Sequence, residues 1–172
     1  MNIDFIISVI AIVSYIVGIV IVASIPQRTK RLNTKIGSCL LPLERSSSKL
    51  YIIAIICCFI VIALLRFRSF SIFVTVILDI TCLLGLNLSV KEILYRRAGG
   101  VYENALITQG DLFYRENIIA IPVLNYDKTT ETEEYAYKNT LKIVTDKGGE
   151  TWIGFANAQE KEATLKIVKA WF

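Results

Sequence analysis

The stretch LYIIAIICCFIVIALL-RFRS-FSIFVTVILDITCLLGLNLSV, residues 50–90, decides the architecture. It holds two apolar runs, 50–65 and 70–90, split by Arg66-Phe67-Arg68-Ser69. Each run is close to the roughly 20 residues that cross a hydrocarbon layer about 30 Å thick. The first is slightly short, which places Tyr51 and Arg66 at its two interfaces. An Arg-Phe-Arg turn does not remain in hydrocarbon, so the pair predicts a helical hairpin with its tip in water. Residues 3–25 form a third apolar run, interrupted by Asp4, Ser8, Ser14, Gly18 and Ser24. It is too long for a signal-peptide core and has no positive region before it.

Composition agrees. Mean hydropathy is +0.54, and the apolar excess lies before Val90. Residues 1–98 carry 11 Lys/Arg against 4 Asp/Glu, a net of +7; residues 99–172 carry 8 against 11, a net of −3. The overall +4 therefore combines a basic, apolar half with a mildly acidic tail. The cations cluster beside the apolar runs, which suits anionic lipid headgroups and argues against nucleic acid as a partner. The chain has no histidine, which removes His-based acid–base catalysis, Ser-His and Cys-His nucleophile pairs, and most zinc chemistry. Three of the four cysteines, Cys57, Cys58 and Cys82, sit inside apolar runs as small packing residues. The fourth, Cys39, lies in a basic juxtamembrane stretch and is a candidate for acylation. No disulfide framework, metal site or cofactor is expected.

Orientation follows from charge. The first apolar run is flanked by Asp4 on one side and by Arg28, Lys30, Arg31 and Lys35 on the other. The positive-inside rule puts residues 26–49 in the cytoplasm, the N-terminus outside and, after the hairpin, the tail inside. Nine cations (those four with Arg45, Lys49, Lys91, Arg96 and Arg97) fall inside, and two (Arg66, Arg68) outside. Residues 26–49 read as a loop, with breakers at Pro26, Gly37, Pro42 and the Ser46-Ser47-Ser48 run. Gly99-Gly100 ends the third helix and divides a membrane domain, 1–98 (helices about 3–25, 50–65 and 70–97), from a tail domain, 99–172.

In the tail the periodicity becomes two-fold. Strands are expected over 101–108, 111–116, 118–126, 138–145 and 150–156, with hairpin turns at Gln109-Gly110 and Lys147-Gly148-Gly149. Pro122 confines its strand to an edge or bulge, and 127–137 is a polar acidic loop. Asn157 is a helix N-cap with Glu160 three residues on. Leu165, Val168 and Phe172, flanked by Ile167 and Trp171, then give the last helix an apolar face to cover the sheet.

Five strands closed by a C-terminal amphipathic helix resemble the pleckstrin-homology-like (PH-like) fold. Gly100-Val101-Tyr102-Glu103-Asn104-Ala105-Leu106-Ile107, followed by Phe113-Tyr114-Arg115-Glu116-Asn117-Ile118, is similar to small bacterial PH-like domains tethered to membrane helices. The resemblance covers about 99–172. It implies a binding or scaffolding module on the cytoplasmic membrane face and brings no catalytic residues. The expected fold class is thus an α+β membrane protein: three transmembrane helices followed by a small PH-like antiparallel β-domain with a C-terminal capping helix.

Two groups of residues stand out. Asp79 lies near the middle of the 70–90 run, where a carboxylate is costly by about 2.5–3.5 kcal/mol. Helical spacing puts Thr75, Asp79, Cys82, Leu86 and Ser89 on one face with Gly85 beside it, a small polar stripe suited to helix packing. It reads as a protonated or hydrogen-bonded carboxyl inside the chain's own three-helix bundle, as a charged contact to a partner subunit, or as an ion or proton relay. Ser8, Ala11, Ser14 and Gly18 give the first helix a similar small face, as do Ala54, Cys57 and Cys58 the second. Arg28, Lys30, Arg31, Lys35, Arg96 and Arg97 form a juxtamembrane basic collar that sets topology and meets lipid headgroups. Glu131, Glu133 and Glu134 are a solvated acidic loop without calcium-ligand spacing. The expected function is a non-enzymatic membrane-anchored module whose partners are membrane lipids and a protein or second copy. The alternative is a small accessory subunit of a transport or secretion complex, contacting its partner through Asp79.

Overall fold

The computed structural model describes residues 3–65, 67, 70–125, 139–146 and 149–172. Arg66 and Arg68 of the expected outer turn, the acidic loop with Glu131, Glu133 and Glu134, and Lys147-Gly148 lie outside the described residues. The chain is α+β and divides into two compact units: Met1–Lys30 with Ser47–Leu94, and Arg31–Ser46 with Tyr95–Phe172.

The first unit is helical. Helix α1 (Ile3–Ala23), α3 (Lys49–Leu65) and most of α4 (Ile72–Arg97) match the three apolar runs. Among the described residues, α1 and α4 are long and apolar enough to cross a membrane. The expectation of three such helices needs correcting, because α3 has 17 residues. At 1.5 Å per residue it is about 25 Å long, short of the hydrocarbon thickness. The core of the unit is Ile62, Cys82 and Leu86, with Ile21, Ile55, Phe59 and Leu83 packed against it. Gly18 lets α1 approach closely. A Cβ there would stand 3.0 Å from both Leu86 Cδ1 and Phe59 Cε1. Tyr15 and Phe59 meet edge to face at 5.2 Å.

Residues 26–49, expected to be a loop, are largely ordered secondary structure. Helix α2 (Ile25–Ile36) continues almost directly from α1. Ser24 N still donates to the Val20 carbonyl at 3.0 Å and Arg28 N to the Ser24 carbonyl at 2.9 Å. Pro26 sits in the first turn of α2, where its missing N–H is least costly. Gly37 (φ +81°) then ends α2 as a left-handed cap, with its N–H donated to the Asn33 carbonyl at 3.2 Å. Residues Cys39–Pro42 are a strand, β1. The breakers in this stretch thus mark element ends rather than an irregular loop.

The second unit contains two antiparallel sheets. Strands β1, β2 (Gly100–Tyr102), β3 (Ala105–Thr108) and β4 (Asp111–Tyr114) lie in that order in one. Strands β5 (Ile118–Ala120), β6 (Thr140–Thr145) and β7 (Gly149–Gly154) form the other. The expected single strand over 101–108 is instead a tight hairpin, since Val101 pairs with Leu106 and Gly100 with Ile107. The Gln109-Gly110 turn does join β3 to β4, with positive φ at both positions, 51° and 101°. The strand expected over 118–126 stops at Ala120, and Pro122–Asn125 is one helical turn, α5. Pro122 starts that turn with its φ already set for a helix.

Strand β3 is buried on both faces. Ala105 and Ile107 pack with Leu32 and Ile36 of α2. Leu106 faces the other way, into a core with Leu43, Val101, Ile118, Leu141, Ile143, Ile153, Phe155 and Val168. The Thr108 hydroxyl donates to the Gly154 carbonyl at 2.7 Å, joining the two sheets. Helix α6 (Ala158–Val168) starts as expected, with Asn157 Oδ1 accepting from Glu160 N at 2.8 Å. Its buried stripe is Lys161, Thr164 and Val168, with Leu165, Ile167 and Trp171 half-buried against the core. Phe172 leaves the expected face and is 62% exposed. The chain tightens to a 3₁₀ turn over Lys169–Trp171, which rotates Phe172 away from the stripe that an unbroken α-helix would give it.

Candidate functional site

The polar face of α4 forms as spaced. Thr75, Asp79, Cys82, Leu86 and Ser89 are all buried. Asp79 is only 2% exposed, and what it faces is its own unit. The Ser14 hydroxyl of α1 approaches the carboxyl. No bond satisfies hydrogen-bond geometry, so among the described residues both Asp79 oxygens lack a partner. Thr75 Oγ1 turns back to the Ser71 carbonyl at 3.2 Å. On α1, Ala11, Ser14 and Gly18 are buried as the small-residue spacing implies. On α3, Cys58 joins the core while Cys57 is exposed.

Some of the basic residues are held by side-chain hydrogen bonds. Arg28 donates from Nη1 to Asn87 Oδ1 at 2.7 Å. Arg96 donates from Nη1 to Ser46 Oγ at 3.2 Å. Arg96 and Arg97 occupy the last turn of α4, and Lys35 the last turn of α2, where cations suit the helix dipole. Lys30, Arg31, Lys35 and Arg97 are exposed. By helical spacing Arg28, Arg31 and Lys35 share one stripe of α2, beside the buried Leu32 and Ile36.

The Tyr102-Glu103-Asn104 motif binds the segment before the hairpin to the tail. The Tyr102 hydroxyl donates to the Ala98 carbonyl at 2.7 Å. Burial pushes this phenol up, with Cys39 adding to the shift and Arg45 opposing it. Glu103 N donates to the Ser38 carbonyl and Asn104 N to the Ile36 carbonyl, at 3.1 and 3.0 Å. The Glu103 carboxylate accepts from Ser38 N at 3.1 Å. Hydrogen bonds from the Ser38 side chain and backbone hold it below the usual carboxylate range. Gly100 is needed because a Cβ there would lie 3.0 Å from the Leu41 carbonyl oxygen. Further along, Glu44 N donates to Glu160 Oε1 at 2.7 Å. These residues stitch the second unit together.

An open groove of about 830 Å³ in the second unit was not foreseen from sequence. Lys35, Tyr114, Arg115, Glu116, Ile119 and Phe172 are among the residues lining it. The Arg115 guanidinium lies 5.8 Å from the Trp171 ring centroid and donates to the Trp171 carbonyl at 3.5 Å. Arg115 and Trp171 are 56 residues apart, so no local spacing reveals the pair. Among the described residues no group of three His, Cys, Asp or Glu is placed to hold a metal ion. No family model, curated protein or solved structure matches the chain.

Proposed function

We propose that this chain is a non-enzymatic, membrane-anchored binding module that presents a PH-like domain at the cytoplasmic face of a bacterial membrane. The observation that carries the reading is where the helical unit puts its apolar side chains. Phe5, Ile12, Val13, Ile16 and Val20 of α1, and Phe73, Ile77, Ile80, Leu84 and Leu88 of α4, all point outward. A water-soluble bundle does not expose a continuous apolar surface of this kind, whereas lipid is its natural solvent. The PH-like part is supported by four antiparallel strands, then three, then a terminal helix. In this reading β1 reaches the domain from before the α3–α4 hairpin. Orientation rests on the cations around α2 and at the end of α4.

The test is a pair of reporter fusions in cells. A reporter after Phe172 should be active in the cytoplasm, and one ahead of Met1 should be active outside. Export of the C-terminal reporter would overturn the cytoplasmic assignment. Recovery of the protein in the soluble fraction would overturn the anchoring.

A further inference from the structure

The contacts among α1, α3 and α4 fix how far each helix runs. A Cβ at Gly18 of α1 would lie 3.0 Å from Leu86 Cδ1 of α4 and 3.0 Å from Phe59 Cε1 of α3. A Cβ at Gly85 of α4 would lie 3.4 Å from Cys58 Sγ of α3. Gly18, Phe59 and Leu86 therefore stand at one level of the helical unit. Ser14 meets Asp79 as Gly18 meets Leu86, so α1 and α4 run the same way. Six residues, 66–71, separate α3 from α4, a link too short to return along α4. Helix α3 thus runs back against its neighbours and ends on the side where they begin.

On that side the three helices are unequal. Beyond the shared level α1 has 15 residues, to Ile3, and α4 has 14, to Ile72. Helix α3 has six, to Leu65. At 1.5 Å per residue α3 stops about 12 Å short of its neighbours, or about 9 Å short where Cys58 and Gly85 set the level. There α1 and α4 stay apolar and exposed, through Phe5, Val9, Phe73 and Ile77, and such side chains call for hydrocarbon alongside. Ile62 and Leu65 at the end of α3 are 1% and 2% exposed, so packing holds α3 where it is. The sequence sets Arg66 and Arg68 directly after Leu65, and arginine inside hydrocarbon is costly.

We propose that the bilayer thins beside the end of α3, and that this face of the protein gathers phospholipids with short acyl chains. A span shorter than the hydrocarbon is matched by thinning, by snorkelling or by oligomerising. Snorkelling covers part of the shortfall, because an arginine side chain carries its charge well away from its own backbone. Thinning supplies the rest at a small cost per ångström. With 21 and 26 residues, α1 and α4 reach across an ordinary bilayer, so the thinning is local to α3. The inference deepens the membrane-anchored reading and rests on it.

The experiment uses the full chain carrying Ile60→Trp, on the exposed side of α3 (51% exposed), in phosphatidylcholine vesicles. Ile56→Trp, at a site 53% exposed on the same helix, replaces it if the first variant does not insert. The emission of Trp152 and Trp171 is removed by subtracting the chain without the added tryptophan. Lipid with brominated eighteen-carbon chains quenches the new tryptophan. Unbrominated lipids with fourteen-, eighteen- and twenty-two-carbon chains then compete with it, and relief of quenching gives their relative binding constants. The fourteen-carbon lipid should bind beside α3 at least about threefold more tightly than the twenty-two-carbon lipid. Inserting Leu-Leu-Ala-Leu after Leu65 lengthens α3 by about 6 Å and should remove most of that preference. Equal constants for all chain lengths, a preference for the longest chains, or a preference that the insertion leaves unchanged would each overturn the inference. Quenching with a flat chain-length response removes the thinning and leaves the anchored module standing. No quenching by brominated chains would put α3 outside the bilayer and overturn both.

Discussion

The two units use the same residue types in opposite ways. In the strand-bearing unit Val101, Leu106, Ile107, Leu141 and Ile143 are fully buried, and both faces of β3 are covered. In the helical unit the isoleucines, valines and leucines of α1 and α4 mostly face outward, and the inward stripe carries Ala11, Ser14, Gly18, Thr75, Asp79 and Ser89. In water, burying a Val, Leu or Ile contributes about 1.5–3 kcal/mol, so a chain folding in water would turn these helices inside out. In lipid there is no such drive between helices, and close packing through small residues takes over. The contrast shows that hydrophobicity alone does not locate a core; the surrounding solvent must be specified first.

The largest expected effect concerns what the strand-bearing unit takes from residues 31–46. A fragment of residues 99–172 lacks Leu32, Ile36, β1 and Leu43, all of which pack into the strand-bearing unit. Losing three buried large side chains removes about 5–9 kcal/mol of burial, comparable to the whole stability of a small domain. The fragment should show no cooperative thermal transition by far-UV circular dichroism. A fragment of 31–46 joined by a flexible linker to 95–172 should regain one. Cooperative melting of 99–172 alone would make the preceding segment an accessory to the domain rather than part of it.

This dependence also explains what was legible in the sequence. The apolar runs, the Gln109-Gly110 turn and the Asn157 cap depend on neighbours within a few residues, and they appear where the sequence puts them. The polar face of α4 follows from helical spacing and was equally readable. Strand β1 depends on partners such as Tyr102, about sixty positions away, and without them Cys39–Pro42 looks like a loop. The hairpin at Glu103-Asn104 was hidden because apolar alternation runs on through it from Val101 to Thr108. The groove was hidden because Lys35, Arg115 and Trp171 belong to three separated segments.

The next effect in size tests the helical unit by its small residues. Gly18→Val would place methyl groups into Leu86 and Phe59, whose atoms already lie 3.0 Å from a Cβ at that site. Overpacking of this kind costs about 1–3 kcal/mol. The expected outcome is a lower midpoint for unfolding in sodium dodecyl sulfate. Gly18→Ala should fall between the two. If Gly18→Val unfolds with the wild-type midpoint, the helices do not pack through α1's small face.

Asp79 should respond less, and in the other direction. Its oxygens lack partners among the described residues, so removing the carboxyl removes a group that lipid and protein both solvate poorly. Asp79→Asn should be nearly silent. Asp79→Leu should be tolerated or slightly stabilising in the same detergent titration. It should also leave complex size on a native gel unchanged at matched expression, because the side chain is buried in its own unit. Loss of a larger species with insertion intact would instead favour the accessory-subunit reading, in which Asp79 holds a partner.

The smallest expected effect is at the junction that ties the two parts of the second unit together. The Glu103 carboxylate accepts from Ser38 N, and hydrogen bonds from the Ser38 side chain and backbone hold it below the usual carboxylate range. A carboxyl with a depressed folded value contributes stability above its unfolded value, about 4.3. That contribution is lost as pH falls through the folded value. Because Glu103 is exposed, solvent screens the interaction and the effect is small. Glu103→Gln keeps an oxygen able to accept from Ser38 N and removes the charge. Thermal midpoints of the full chain and of Glu103→Gln should therefore differ by a small constant above about pH 5 in favour of the wild type. The gap should close as pH falls below 4.3 or so, because the wild-type side chain then becomes neutral too. Taking the difference cancels the other carboxylates, which titrate in both proteins. A gap that stays flat down to pH 3, or one that widens, would mean that Ser38 is held by its backbone pairing with Glu103 alone and that the carboxylate adds nothing to the joint.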